Sequence, residues 1–238
     1  MQDVELENEH FRLIDLRITN ECNFRCGFCI QNNKDKGQGE VAELSKIKQF
    51  MLAHKNKTNE FNLVGGDPTL HPDLEQILDF AIEHNIKTSF MTKDHDIDYN
   101  LIQKAYTVGV NITNEKEIEA WDRKIDKNDV DKIWLNVVVG YMHEKEFKEL
   151  LEFIMESKFN EICFYDLKGM QARRYNEFEA IMLKFQSSMK DIHFEHGLIM
   201  KYPDFYEEIS CDLYHNEEGY KGICRDLIND EWKQNIWS

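Results

Sequence analysis

Strand-like and helix-like stretches alternate along most of this chain, and that alternation narrows its possible folds more than any other feature. Residues 13–19 alternate apolar and polar positions at the period of a strand. Leu44, Ile47 and Met51 then form a helical stripe, and residues 61–64 are a short apolar strand. Leu74, Ile77, Leu78, Ala81 and Ile82 repeat at helical spacing, with Pro72 placed to be the first helical residue. A strand is expected at 86–91, a helix at 101–106, a strand at 108–113, and another in the β-branched run 133–139. Phe147, Leu150, Leu151, Ile154 and Met155 mark a helical face; residues 162–165 read as a strand and 175–189 as a helix. About six strand–helix steps call for a parallel α/β sheet with right-handed crossovers. Six units fall short of the eight of a closed barrel. The expected architecture is therefore a partial (β/α)6-type TIM barrel over residues 1–190. A short C-terminal extension, 191–238, holds a strand-like stretch at 193–200 and would cap the barrel or line a substrate pocket.

In folds of this kind ligands gather at the C-terminal ends of the strands, and there the chain places its most reactive residues. Cys22, Cys26 and Cys29, in the run C-N-F-R-C-G-F-C, follow the first strand. This C-x3-C-x2-C spacing sets three thiols on one loop, enough for three irons of a [4Fe–4S] cube. Such clusters ordinarily take four cysteines, and no fourth lies nearby, so one iron would be left for a non-protein ligand. A zinc loop or three unrelated thiols are the other readings. Zinc sites close with four ligands, commonly as paired C-x2-C units, and no second pair follows. Gly65-Gly66-Asp67-Pro68 closes the second strand; taken alone it is a turn signal.

The net charge of −16 argues against sequence-independent nucleic-acid binding, which rests on Lys and Arg neutralising phosphates, and disfavours anionic membranes. The first eight residues are acidic, and no apolar run approaches the roughly 20 residues of a spanning helix. A cytoplasmic protein is expected, with reduced thiols given to metal or catalysis rather than disulfides. No Ser/His/Asp constellation, H-E-x-x-H, P-loop or G-x-G-x-x-G is present.

Taken together, the cysteine run and the G-G-D-P turn one strand–helix unit later resemble the radical S-adenosylmethionine (radical SAM) superfamily, over most of residues 11–190. The resemblance implies that Cys22, Cys26 and Cys29 bind a [4Fe–4S] cluster and that Phe28 lies near the adenine of SAM. It implies that Gly65, Gly66, Asp67 and Pro68 hold the SAM amino group, with Asp67 standing where the family more often has Glu. Thr92 matches a position where the family often has Thr-Asn-Gly, from which Lys93 departs. Thr113 stands in for a Ser that bonds the SAM ribose, its acidic partner missing or displaced at Asn114. Asn136 would present a polar side chain to SAM, and the backbone at Leu167 would meet adenine. Each of these later positions also reads as a turn former or a satisfied strand residue.

Cys224 ends a G-x4-C run, as in the auxiliary-cluster extensions (SPASM and Twitch domains) of some members, with Cys211 upstream. Two thiols do not complete a cluster, and a remnant loop or two buried small residues is the other reading. Arg173 and Arg174 are candidates to clamp a carboxylate or phosphate.

The function so implied is reductive cleavage of SAM to a 5′-deoxyadenosyl radical. That radical takes hydrogen from a peptide or small-metabolite substrate, with electrons from a flavodoxin- or ferredoxin-type reductant. A glycyl-radical-enzyme activase, a non-catalytic iron–sulfur electron-transfer protein and a binding module are the alternatives.

Overall fold

The computed structural model describes residues 11–29, 39–139, 142–166, 191–194, 222–226 and 231–233. In chain order the first elements are β1 (Phe11–Thr19), α1 (Leu44–His54), β2 (Thr58–Gly65), α2 (Leu74–Glu83), β3 (Thr88–Thr92) and α3 (Tyr99–Lys104). There follow β4 (Val108–Ile112), α4 (Glu115–Lys124), β5 (Ile133–Val139), α5 (Glu144–Glu156) and β6 (Glu161–Asp166). Three short strands, β7 (Asp191–Phe194), β8 (Gly222–Asp226) and β9 (Glu231–Lys233), follow, and two 3-10 helices, Pro68–Leu70 and Lys127–Lys132, lie in the connections. The strand–helix alternation expected from the sequence is present from β1 to β6. No helix among the described residues is long and apolar enough to cross a membrane.

The chain divides into two compact units, residues 1–108 with 220–238, and residues 109–219. In the first, the strand order is β3-β2-β1-β8-β9. All of these pairings are parallel except β8 with β9. Ile14, Leu16 and Ile18 are fully buried, and Ile14 and Leu16 stand in register with the equally buried Phe61 and Leu63. Helix α1 adds Ile47 and Met51 to the core, and α2 adds Leu74, Ile77, Leu78 and Ala81. The alternate positions form a polar row. Asp15, Asn62 and Ser89 lie side by side on β1, β2 and β3 and are all buried, with Asn62 Nδ2 donating to Asp15 Oδ1 at 2.8 Å. A one-residue slip of β1 would carry Asp15 and Arg17 into the apolar layer, so burial at about 1.5–3 kcal/mol per large aliphatic side chain fixes the register.

In the second unit the order is β4-β5-β6-β7, and β5–β6 and β6–β7 pair in parallel. Phe147, Leu150, Leu151 and Ile154 of α5 are buried as their spacing requires. Helix α4 was not expected from periodicity. Its run E-K-E-I-E-A-W-D-R-K buries only Ile118 and Trp121, and Asn114 starts it by accepting from Glu117 N at 3.2 Å.

Pro72 does not open α2. That helix begins at Leu74, because Leu74 N bonds to His71 O and Asp73 N to His71 Nδ1, closing a turn around the proline first. Of the expected strand at 193–200, the described part is β7, which starts earlier, at Asp191. The expected helix at 175–189 lies outside the described residues.

Candidate active site

Strand β1 ends at Thr19 and hands the chain to the cysteine loop, whose two ends are held together. Asn20 N donates to Glu40 O at 2.9 Å, Asn20 Nδ2 to Glu40 Oε2 at 2.7 Å, and Ala42 N to Ile18 O at 2.8 Å. Thr19 and Val41 form an antiparallel bridge. Within the loop Cys29 N donates to Cys26 O at 3.1 Å, a turn that brings the last two cysteines close in space. Cys22, Cys26 and Cys29 are reduced cysteines, all half-buried.

The donor set suits an iron–sulfur cluster. Among the described residues no group of three His, Cys, Asp or Glu is drawn together tightly enough to hold a single ion. A cubane, by contrast, offers a separate iron to each thiolate and does not require single-ion spacing.

The turn after β2 lies directly against this loop. Gly66 N donates to Thr19 O at 2.8 Å and Asp67 N to Glu21 O at 2.6 Å. Gly65 has φ 139°, and a Cβ there would overlap the Thr19 carbonyl oxygen; one on Gly66 would overlap that of Glu21. The glycines thus let the second strand's turn meet the backbone that leads into Cys22. The family resemblance assigns these glycines to holding the SAM amino group. The neighbour that a side chain would strike in the structure is the chain's own main chain.

Asp67 turns its carboxyl inward. Its Oδ1 accepts from Thr69 N at 3.0 Å and Thr69 Oγ1 at 2.7 Å, capping the short 3-10 turn Pro68–Leu70. Its Oδ2 accepts from Thr92 Oγ1 at 2.8 Å. Burial of the side chain pushes its pKa above the usual carboxylate value, and the bonds from Thr69, Thr92 and the Lys93 backbone oppose that shift. Thr92, buried at the end of β3, also accepts from Asp94 N at 2.9 Å. The next residue, Lys93, holds its Nζ 6.0 Å from the centre of the Phe28 ring. Three consecutive strand ends, the cysteine loop, the glycine turn and the Thr92–Lys93 pair, therefore form one connected site in the first unit.

His71 belongs to the same framework, although its sequence context gave only an isolated histidine. Nε2 lies 3.0 Å from Ala42 O and Nδ1 accepts from Asp73 N at 3.1 Å, an arrangement that fits a neutral ring with its proton on Nε2. Burial lowers its pKa, against the opposing influence of Ala42 O and Asp73. The ring ties the α2 entry to the segment that returns from the cysteine loop.

Two sequence-derived positions lie in the second unit. Thr113, just after β4, donates from N (2.6 Å) and Oγ1 (3.0 Å) to Glu117 Oε2. Its acidic neighbour is thus Glu117, one helical turn on, and the signal for it was the N-x-x-E pattern of a capping box beginning at Asn114. Asn136 is buried on β5 and accepts from Trp134 Nε1 at 2.9 Å. An open cavity of about 760 Å³ lies among Thr113, Asn114, Lys116, His143 and Glu146. Cys163 is buried on β6. Leu167, Arg173, Arg174 and Cys211 lie outside the described residues, and Cys224 stands on β8 with its backbone in register with Asp15.

A family model described as the Radical SAM superfamily matches residues 16–154. The chain is 29% identical over 182 residues to the "Probable GTP 3′,8-cyclase" of Sulfolobus acidocaldarius, covering 65% of this chain and 56% of that protein. It is 26% identical over 212 residues to the protein of the same description from Sulfurisphaera tokodaii, covering 76% and 67%. The chain thus spans little more than half the length of the first of these relatives. Among solved structures it is similar to Streptococcus suis SuiB bound to precursor peptide SuiA, with TM-score 0.68, 16% identity, and 92% and 58% of the two chains covered. SuiB bound to S-adenosylmethionine gives TM-score 0.67 and 14% identity, covering 97% and 64%. These structural likenesses show the fold, an α/β partial barrel as the alternation of elements required.

Proposed function

This chain belongs to the radical SAM superfamily, and we propose on that premise that Cys22, Cys26 and Cys29 hold a [4Fe–4S] cluster which, with SAM, begins radical chemistry on a peptide or small-metabolite substrate. A [4Fe–4S] cluster and SAM are the cofactors of that family. Cys22, Cys26 and Cys29 would hold the cluster, which when bound would supply the single electron needed to cleave SAM to methionine and a 5′-deoxyadenosyl radical able to take a hydrogen atom from an unactivated carbon.

Two backbone hydrogen bonds carry the proposal, Gly66 N to Thr19 O and Asp67 N to Glu21 O. They join the thiol-bearing loop to the glycine turn that the family uses for SAM. The chain's own residues then have separate tasks. The three thiolates supply three of the four ligand positions and leave the last for SAM. The turn at 65–68 offers backbone groups to the methionine end, while the Asp67 carboxyl is committed to Thr69 and Thr92 and holds the turn's shape. Phe28 offers a ring face for adenine. Thr113, Asn136 and Leu167 remain candidate SAM contacts.

Relatives described as probable GTP 3′,8-cyclases support a small-molecule substrate, and the precursor peptide bound by SuiB supports a peptide. The electron is assigned to a flavodoxin- or ferredoxin-type reductant. The segment 191–238 is assigned the role of covering the barrel mouth or lining the substrate pocket.

The test is anaerobic reconstitution with iron and sulfide. The expected product is a brown protein with about four irons per chain that releases 5′-deoxyadenosine from SAM on addition of dithionite. Replacing Cys22, Cys26 and Cys29 together by Ala should abolish both, and retention of either refutes the assignment. Trials with GTP and with peptides then separate the substrate classes by which one raises 5′-deoxyadenosine release.

A further inference from the structure

We propose that Lys93 sets the reduction potential of the cluster, its ammonium stabilising the extra negative charge that the reduced cluster carries. This rests on the cluster assignment above and adds to it a residue that is neither a ligand nor a matched family position. The Nζ of Lys93 sits over the ring of Phe28 at 6.0 Å. Phe28 occupies the turn closed by Cys29 N and Cys26 O, between two of the three thiols. Both Lys93 and Phe28 are half-buried, so a charge there is screened less than one in open water.

The lysine is also well fixed in place. The residue before it, Thr92, is buried and bonded through its hydroxyl to Asp67 and to the amide of Asp94. Lys93 therefore leaves the strand from a rigid point, and its side chain is directed onto the cysteine loop. The cysteine loop itself carries Arg25 between Cys22 and Cys26, and Lys93 brings a second cation to it from another strand end, over the ring that precedes Cys29. Cluster potentials follow net charge, hydrogen bonding to the sulfurs and exposure. A positive charge beside the loop favours the state with one more electron.

Redox titration of the reconstituted full chain tests this without reference to SAM cleavage. Dithionite with mediators supplies single electrons, and the EPR signal of the reduced cluster reads the midpoint. Lys93→Met should lower the midpoint by an amount equivalent to an about tenfold smaller reduction constant, ~59 mV for one electron. Lys93→Arg keeps the charge and should stay near the unaltered protein. Lys48→Met removes a charge held over a different ring, that of Phe80, and should leave the midpoint unchanged.

The proposal is overturned if Lys93→Met leaves the midpoint where it was. It is equally overturned if Lys48→Met shifts it as far, or if Lys93→Met changes only the affinity for SAM. Lys93→Gln provides a second neutral replacement. If neither neutral variant assembles a cluster while Lys93→Arg does, Lys93 is a structural residue and the proposal fails. Absence of any cluster in the unaltered protein would instead overturn the assignment on which it rests.

Discussion

At the scale of single residues, Asp67 shows a motif carboxyl engaged by its own turn and by the next strand end. Each carboxyl oxygen already accepts hydrogen bonds, from Thr69 on one side and Thr92 on the other. The family's longer Glu would need a different path to the same partners, which gives the shorter residue a structural reason to be here. Burial raises the folded-state pKa above 3.8, so the folded protein holds this proton more tightly than the unfolded chain does. The stabilisation from that tighter hold is complete below 3.8 and is lost as pH rises through the folded value. Asp67→Asn removes the titration. Urea unfolding at a series of pH values should show the unaltered protein losing stability relative to Asp67→Asn as pH rises from 3.8, then holding a constant difference. A difference that does not change with pH would mean the carboxyl is not buried as described.

Elements meet here through their ends rather than their faces. The glycine turn after β2 and the backbone before Cys22 approach so closely that a single added methyl finds no room. Gly66→Ala should therefore force the turn away from Glu21 and cost about 1–3 kcal/mol, the range for overpacking a filled site. It should also cost iron content after reconstitution. Both are measurable, by denaturant unfolding and by iron analysis, and a variant with unaltered stability would show that the two segments are not in contact. The pattern G-G-D-P marked a turn and, by resemblance, a ligand-binding turn. Its packing against residues 19–21 was not legible, since nothing local distinguishes a glycine needed by a ligand from one needed by another stretch of backbone. Helix α4 was hidden for a related reason: with only Ile118 and Trp121 buried, its apolar stripe is too thin to stand out from its charges. The capping pattern N-x-x-E was the signal present.

For the molecule as a whole, the C-terminal segment bears on the first strand. β8 lies parallel to β1, with residues 13–17 in register with 222–226. A chain ending at residue 219 would leave the backbone groups on that side of β1 without their partners, and an unpaired strand edge is a route to aggregation. Such a truncation should lower the thermal midpoint and increase light scattering on heating. Unchanged behaviour would make β8 dispensable to the fold. The sequence suggested an appended segment beyond residue 190 but gave no indication that part of it, β8, pairs with the first strand.

What the amino-acid sequence settled by itself were the features written in short range. The period-2 and period-3.6 patterns marked the strands from β1 to β6 and the helices between them except α4, and the cysteine spacing put three thiols on one loop, because both depend on residues a few positions apart. Only the tertiary structure decided that Lys93 overlies Phe28, that Asp67 faces inward to Thr92, and that His71 reaches back to Ala42. Those contacts join segments far apart in the chain, and their free energy depends on burial and on which backbone groups remain to be satisfied once the core has closed.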